Sequence, residues 1–173
     1  DSSNLTLVSA DAEIIFVADM FVEDYVGGAE LTTQALIDSS PFNVQKIKSR
    51  DVTMSLLEDG VEKYWIFGNY SSLDINLIPS IVGNLDYSVL EYDYKYCKWR
   101  SPEKCTSIEQ VPCTCETSEK GKMISAFMYG AKSIWWMSEK QQEHYSLLFP
   151  FLQEKENVVL SSVFDEEFFR TVK

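Results

Sequence analysis

Short runs of apolar residues recur along the chain, separated by longer segments of mixed polarity. The runs occupy positions 14–17, 44–47, 64–67, 87–92, 133–137 and 158–160. Their length and their β-branched and aromatic content are typical of strands buried on both faces of a parallel sheet. The intervening segments carry apolar residues three or four positions apart, as amphipathic helices do. This alternation predicts an α/β fold, a Rossmann-like three-layer sandwich with helices on both faces of a mostly parallel sheet.

Helix-end signals indicate where some of the helices begin. Ser55 and Glu58 have the spacing of a capping box, and so have Ser138 and Gln141, so a helix is predicted to begin at each serine. Pro79 lies inside the helix predicted to follow position 72, and it predicts a kink or a split there.

The size and the charge of the chain narrow the classes of function. Its 173 residues and apolar share of 45% suffice for a single domain, predicted over 1–173, with a hydrophobic core. The formal net charge of −12 opposes general binding to nucleic acid or anionic membranes. No apolar run approaches the roughly 18 residues of a transmembrane helix. The first residues also lack the basic and apolar parts of a signal peptide, so we expect a cytoplasmic protein without a membrane span.

A pair of glycines follows the first predicted strand and precedes the first predicted helix. Gly27 and Gly28 would let a ligand approach the backbone, and the amides of the first helical turn favour an anion. The alternative is a tight turn that needs a positive φ and has no ligand. The third glycine of the dinucleotide fingerprint and the lysine of a phosphate-binding loop are both missing. Nicotinamide enzymes and nucleotide hydrolases are therefore poorly supported.

Positions 96–116 contain two prolines and no clear period, which predicts an irregular excursion from the sheet. This segment holds all the cysteines of the chain, Cys97, Cys105, Cys113 and Cys115, in the spacing C-x7-C-x7-C-x-C. Four thiolates can hold a tetrahedral zinc ion, although the usual paired C-x2-C knuckles are missing. Free thiols and disulfides are the alternatives, and the spacing leaves all three open.

Three segments in order resemble a known family. Positions 14–19 followed by Gly27-Gly28-Ala29-Glu30 look like the opening strand and glycine loop of the retaining GT-B glycosyltransferases. Positions 134–141 are similar to that family's strand and Ser-Glu helix start. Positions 158–168 resemble its passage into the interdomain linker, with two serines in place of the usual Pro-Asn-Gly. The order and the separation of these segments match the family over nearly the whole chain.

The resemblance implies an acceptor-side domain that binds a carbohydrate or other hydroxyl acceptor. By analogy, the residues that line its cleft are Gly27, Gly28, Glu30, Asn69, Lys95, Ser138 and Glu139. Many family members place a histidine after the third strand of this series, where the chain offers Glu91 and Asp93 as candidate catalytic residues. Its one histidine, His144, lies on the last predicted helix. Ion pairs in a solvated loop are the alternative role for Glu91, Asp93 and Lys95.

The donor half of such an enzyme is expected in a C-terminal domain. The resemblance of positions 158–168 implies an interdomain linker beginning near 161–173. The family's donor-binding Lys and Glu-x7-Glu have no counterpart here, so this chain alone is expected to be inactive. The nucleotide-sugar donor would belong to the complete enzyme, and no cofactor is required by this chain. Two other hypotheses remain: a non-catalytic Rossmann-like binding or scaffold module, and one half of a GT-B-fold epimerase.

Overall fold

The computed structural model describes residues 5–160, and its centre is a six-stranded sheet whose neighbouring strands all pair in parallel. The strands are β1 (Ile14–Ala18), β2 (Val44–Lys48), β3 (Tyr64–Phe67), β4 (Asp86–Glu91), β5 (Ser133–Trp136) and β6 (Glu156–Val159). Every residue of β1, β3 and β5 is buried, which is why these segments read as continuous apolar runs. All six predicted strands are confirmed. The linker predicted over 161–173 lies outside the described residues.

Helices connect the strands. They are α1 (Gly28–Ser39), α2 (Met54–Asp59), α3 (Ile78–Asn84), α4 (Pro102–Glu109), α5 (Glu119–Gly130) and α6 (Glu139–Leu148). Ser138 accepts a hydrogen bond from the backbone N–H of Gln141, so the predicted start of α6 is confirmed. The predicted α/β fold is also confirmed, as a Rossmann-like three-layer arrangement.

The two faces of the sheet carry separate hydrophobic cores. Trp136 packs with Phe127 and Tyr145, which belong to α5 and α6. Trp135 points to the opposite face, in the cluster that contains Leu36 of α1. Neither tryptophan has exposed surface, and alternation along β5 places one on each side of the sheet.

The strand order is β2-β1-β3-β4-β5-β6. The chain passes from β1 to one side to form β2, and then crosses to the other side for β3 and the strands that follow. The order therefore reverses between β1 and β3. In open parallel sheets, ligands bind at such a switch point, beyond the carboxyl ends of the strands.

Of three local predictions about helices, two were wrong and the one for Pro79 was met in part. The side chain that caps α2 belongs to Thr53, which accepts from Leu56 N–H, and the capping box predicted at Ser55 does not form. The helix predicted after position 72 is split, because a 3₁₀ turn over Ile75–Leu77 precedes α3 and Pro79 lies in the first turn of α3, where a missing N–H costs nothing. The excursion at 96–116 is only partly irregular, because Ser101 caps the helix α4 within it.

Candidate functional site

Asp19, the first residue after β1, joins three loops at the carboxyl edge of the sheet. Its carboxylate accepts from the backbone N–H of Ser71 at 3.1 Å and of Ser72 at 3.0 Å. It also accepts from the hydroxyl of Ser49, which follows β2. Asp19 thereby fixes the loops on both sides of the switch point. Sequence reasoning missed this role, because an aspartate after a strand does not show which loops it will meet.

The glycine turn lies in the loop that leaves β1. Gly27 is the N-cap residue of α1, with φ −131°, and no glycine among residues 5–160 has a positive φ. The conformational alternative, a turn that needs glycine for its backbone angles, is therefore wrong for the described structure. At Gly28 an added Cβ would meet nothing within 4 Å, whereas at Gly27 it would lie 2.8 Å from Cε1 of Tyr25. The fold does not require a glycine at position 28.

Glu30 lies beside this turn, in the first turn of α1. It is 9% exposed, and no group among residues 5–160 makes a hydrogen bond or an ion pair with its carboxylate. A Cβ at Gly27 would lie 3.2 Å from Glu30 Oε2, so the carboxylate faces back toward the glycines. Neither of its carboxylate oxygens is a fully buried atom without a partner, so Glu30 keeps contact with solvent and is able to accept a hydrogen bond from a bound hydroxyl group.

Glu91, at the end of β4, forms a fully buried ion pair. Its carboxylate accepts from Lys95 Nζ at 2.9 Å and from the hydroxyl of Tyr145 at 2.5 Å. Burial raises the pKa of Glu91, and the charge of Lys95 opposes that shift. Lys95 also contacts Asp93 at 3.0 Å and lies 4.9 Å from the centre of the Tyr70 ring. Glu91 and Lys95 thus satisfy each other inside the protein, and neither is the solvated loop residue of the alternative interpretation.

Asp93 and Asn69 are brought together by Arg100, which sequence reasoning did not assign to the site. The guanidinium of Arg100 contacts the Asp93 carboxylate at 2.5 Å and donates to Asn69 Oδ1 at 3.3 Å. Its side chain is 40% exposed, and its φ of 58° is one of two positive values among non-glycine residues in the described structure. A partly exposed cation therefore lies where the loops after β3 and β4 meet.

The head of α6 adjoins the same region. Gln141 is buried and donates to the backbone carbonyls of Glu91, at 3.0 Å, and Asp93, at 2.9 Å. Ser138 serves as the helix cap, and Glu139 is exposed on the wall of an open cleft of about 510 Å³ that also touches Val159 of β6. The structure thus groups Asn69, Asp93 and Lys95, and it places Ser138 and Glu139 at the start of the adjoining helix.

The four cysteines form one cluster beside this edge. All four Sγ atoms lie within 4.8 Å of one another, with Cys97 to Cys113 at 3.8 Å and Cys105 to Cys115 at 3.9 Å. These separations are far longer than a disulfide bond of about 2.05 Å, and all four are free thiols. The disulfide alternative is therefore not what the structure contains. The cluster could hold a metal ion.

His144 lies on α6, the last helix, as predicted, and it is half-buried against the segment that carries the cysteines. Its Nε2 shares a hydrogen bond of 2.6 Å with the hydroxyl of Tyr96, and its ring meets the ring of Tyr94 edge to face. Burial lowers the pKa of His144, which favours the neutral imidazole. These contacts give the histidine a packing role between α6 and the loop after β4.

Within residues 5–160, none of the helices has both the length and the apolar character that a membrane span requires. Comparisons with protein-family models, curated proteins and solved structures found no match to the chain.

Proposed function

We propose that this chain is the acceptor-side domain of a GT-B glycosyltransferase, which binds a hydroxyl acceptor and closes over a nucleotide-sugar held by a C-terminal domain. The observation that carries the proposal is the pairing of Gly28 with Glu30. One is a glycine that the fold does not need, and the other is a carboxylate that faces it, has no hydrogen-bond partner among residues 5–160 and keeps contact with solvent. Both lie after β1, beside the switch point where ligands bind in open parallel sheets.

Each of these two residues suits a different part of a transferase substrate. The backbone at Gly28 leaves room for a bulky phosphate, and no side chain caps the first N–H groups of α1. The Glu30 carboxylate repels phosphate but accepts hydrogen bonds from hydroxyl groups. The donor phosphates are therefore assigned to the amides at Gly28, and an acceptor hydroxyl is assigned to Glu30.

The groups after β3 and β4 complete the proposed cleft. Arg100 presents a partly exposed cation to the donor phosphates, with Asn69 and Asp93 orienting it. Of the two candidate catalytic carboxylates, Asp93 retains exposed side-chain surface, 27%, whereas Glu91 has none. A base must come within hydrogen-bond reach of the proton that it accepts. Asp93 is therefore the preferred candidate, and Glu91 is assigned to positioning Lys95 below the cleft.

Changing Gly28 to valine tests the assignment of the glycine turn. In the complete enzyme, Gly28→Val is expected to reduce glycosyl transfer by roughly 100-fold, because the side chain would displace the phosphates from their reacting position. Gly83→Val is the matched control, since a Cβ at that glycine of α3 also meets nothing within 4 Å. Both variants are expected to fold normally by circular dichroism. Equal transfer by the two variants would contradict the assignment.

A non-catalytic binding module is the second candidate. The observation that favours it is that both candidate catalytic carboxylates are already engaged, Glu91 with Lys95 and Asp93 with Lys95 and Arg100. Measured breakdown or transfer of a nucleotide-sugar by the complete protein distinguishes the two functions. Interconversion of sugar nucleotides without transfer would instead identify an epimerase.

A further inference from the structure

We propose that Cys97, Cys105, Cys113 and Cys115 bind one zinc ion through four thiolates, and that this ion fixes the loop that carries Arg100 at the carboxyl edge of the sheet. The first part of the proposal concerns a metal centre and is independent of the transferase assignment. The second part rests on the proposed function only where it takes the donor phosphates as the ligand of Arg100.

The spacing of the sulfur atoms suits a single tetrahedral ion. Zinc–thiolate bonds of about 2.3 Å in a regular tetrahedron place the sulfurs about 3.8 Å apart. Two of the sulfur pairs are separated by 3.8 Å and 3.9 Å, and no pair exceeds 4.8 Å. Four such ligands leave no open position for a substrate, which is the arrangement of structural rather than catalytic zinc.

The ligands come from separate pieces of backbone that meet at one point. Cys97 lies in the turn after β4, Cys105 lies in α4, and Cys115 begins a short 3₁₀ turn before α5. Cys97 and Cys105 are buried. Helix α5 approaches this turn so closely that a Cβ at Gly121 would lie 2.3 Å from the Cys115 carbonyl oxygen. The protein thus builds the cluster from a turn, a helix and a 3₁₀ turn within the single segment 97–115.

A metal ion would account for the order of this segment. Residues 92–118 form no strand, and four unbridged cysteines in so small a volume otherwise contribute only the packing of small apolar groups. Metal binding would release the thiol protons and add a cross-link between α4 and its two flanking turns. It would therefore stabilise a segment whose regular structure is limited to α4 and one short 3₁₀ turn.

The cross-link would also fix Arg100. This residue lies between the first two cysteines, and its backbone N–H donates to the carbonyl of Cys97 at 2.9 Å. Its positive φ turns the chain so that the guanidinium reaches Asp93 and Asn69. A free loop would not hold a non-glycine residue in that conformation, which costs of order 1 kcal/mol or more.

Metal content of the complete protein, purified without added metal and analysed by inductively coupled plasma mass spectrometry, tests the centre. Cys113→Ser is expected to lose about one zinc per chain relative to the wild type, because a serine hydroxyl does not replace a thiolate. Thr114→Ser is the matched control, since this exposed neighbour leaves all four thiols in place, and it should retain the zinc. Equal zinc in the wild type and Cys113→Ser, or iron in place of zinc, would overturn the proposal.

Cobalt substitution of the wild type keeps the test decisive if Cys113→Ser does not fold. Protein refolded with Co²⁺ should show the intense visible absorption of a tetrahedral tetrathiolate site, and added Zn²⁺ should abolish it. Chelation of the zinc should lower Tm by roughly 10 °C. Absence of the cobalt spectrum from folded protein would overturn the proposal, whatever the transferase assays show.

Discussion

Replacing Glu91 by alanine is expected to lower the free energy of unfolding by about 3–5 kcal/mol. The Glu91 side chain has no exposed surface, and its removal leaves Lys95, with only 3% exposed, beside a cavity. The hydroxyl of Tyr145 loses its acceptor at the same time. Asp93 remains within 3.0 Å of Lys95, which should keep the loss toward the lower part of this range. Urea denaturation followed by circular dichroism measures the change.

Two further variants test whether the loss of stability comes from the buried ion pair or from the removal of any carboxylate. Glu91→Gln retains the shape of the side chain and an acceptor for Tyr145, so it should lower the free energy of unfolding by less than Glu91→Ala does. Glu103→Ala removes a carboxylate that is 88% exposed and lies 3.9 Å from Lys140, and it should change stability by less than about 0.5 kcal/mol. If Glu91→Ala and Glu103→Ala have equal effects, the buried pair does not contribute as described.

Gly121→Val is expected to destabilise the protein by about 2–3 kcal/mol or more and to disrupt the cysteine cluster. The new Cβ would lie 2.3 Å from the carbonyl oxygen of Cys115 and 2.7 Å from that of Glu116. Both obstacles are backbone atoms, so no side-chain rotation relieves the overlap. The turn and helix α5 must therefore separate, and because Cys115 lies in the turn, its sulfur is displaced from the cluster. Urea denaturation and zinc content measure the two consequences.

Gly83→Val is again the control for this variant. Gly83 is also a helical glycine, but a Cβ there meets nothing within 4 Å. Its substitution should change stability by less than about 1 kcal/mol, because valine is at least as good a helix former as glycine. If Gly121→Val has the same stability and zinc content as Gly83→Val, a glycine at position 121 is not needed for the close approach of α5 to the turn.

The sheet could be predicted from the sequence because its strands are buried on both faces. Continuous apolar runs such as 14–17 and 64–67 have few other roles in a chain of this size. The adjacent Trp135 and Trp136 could be assigned to opposite faces from the geometry of a strand alone. These features depend on neighbours in the chain, which the sequence shows directly.

The errors arose where several local signals compete. Thr53 and Ser55 both stand near the start of α2, and only Thr53 has the extended backbone of an N-cap residue. Helix α4 carries a cap and a first-turn proline, Ser101 and Pro102, but it buries only Cys105. Without an apolar stripe it gave no periodic signal, and its segment was therefore predicted as irregular.

The candidate site was less accessible to sequence reasoning because long-range contacts assemble it. Asp19 reaches Ser71 and Ser72, and Arg100 reaches Asn69, and no spacing along the chain indicates either pairing. The same is true of the cysteines, whose spacing left three states open until the sulfur atoms were placed. The sequence identified the glycine turn, but the free space beside the Gly28 backbone is evident only from the structure.

Glycosyl transfer tests the central claim most directly. The complete encoded protein and this chain alone should be assayed side by side with a panel of nucleotide-sugars and hydroxyl acceptors. Transfer by the complete protein and none by this chain is the expected result, because the donor site is assigned to the C-terminal domain. Absence of both transfer and donor hydrolysis from the folded complete protein would contradict the assignment and favour a binding module.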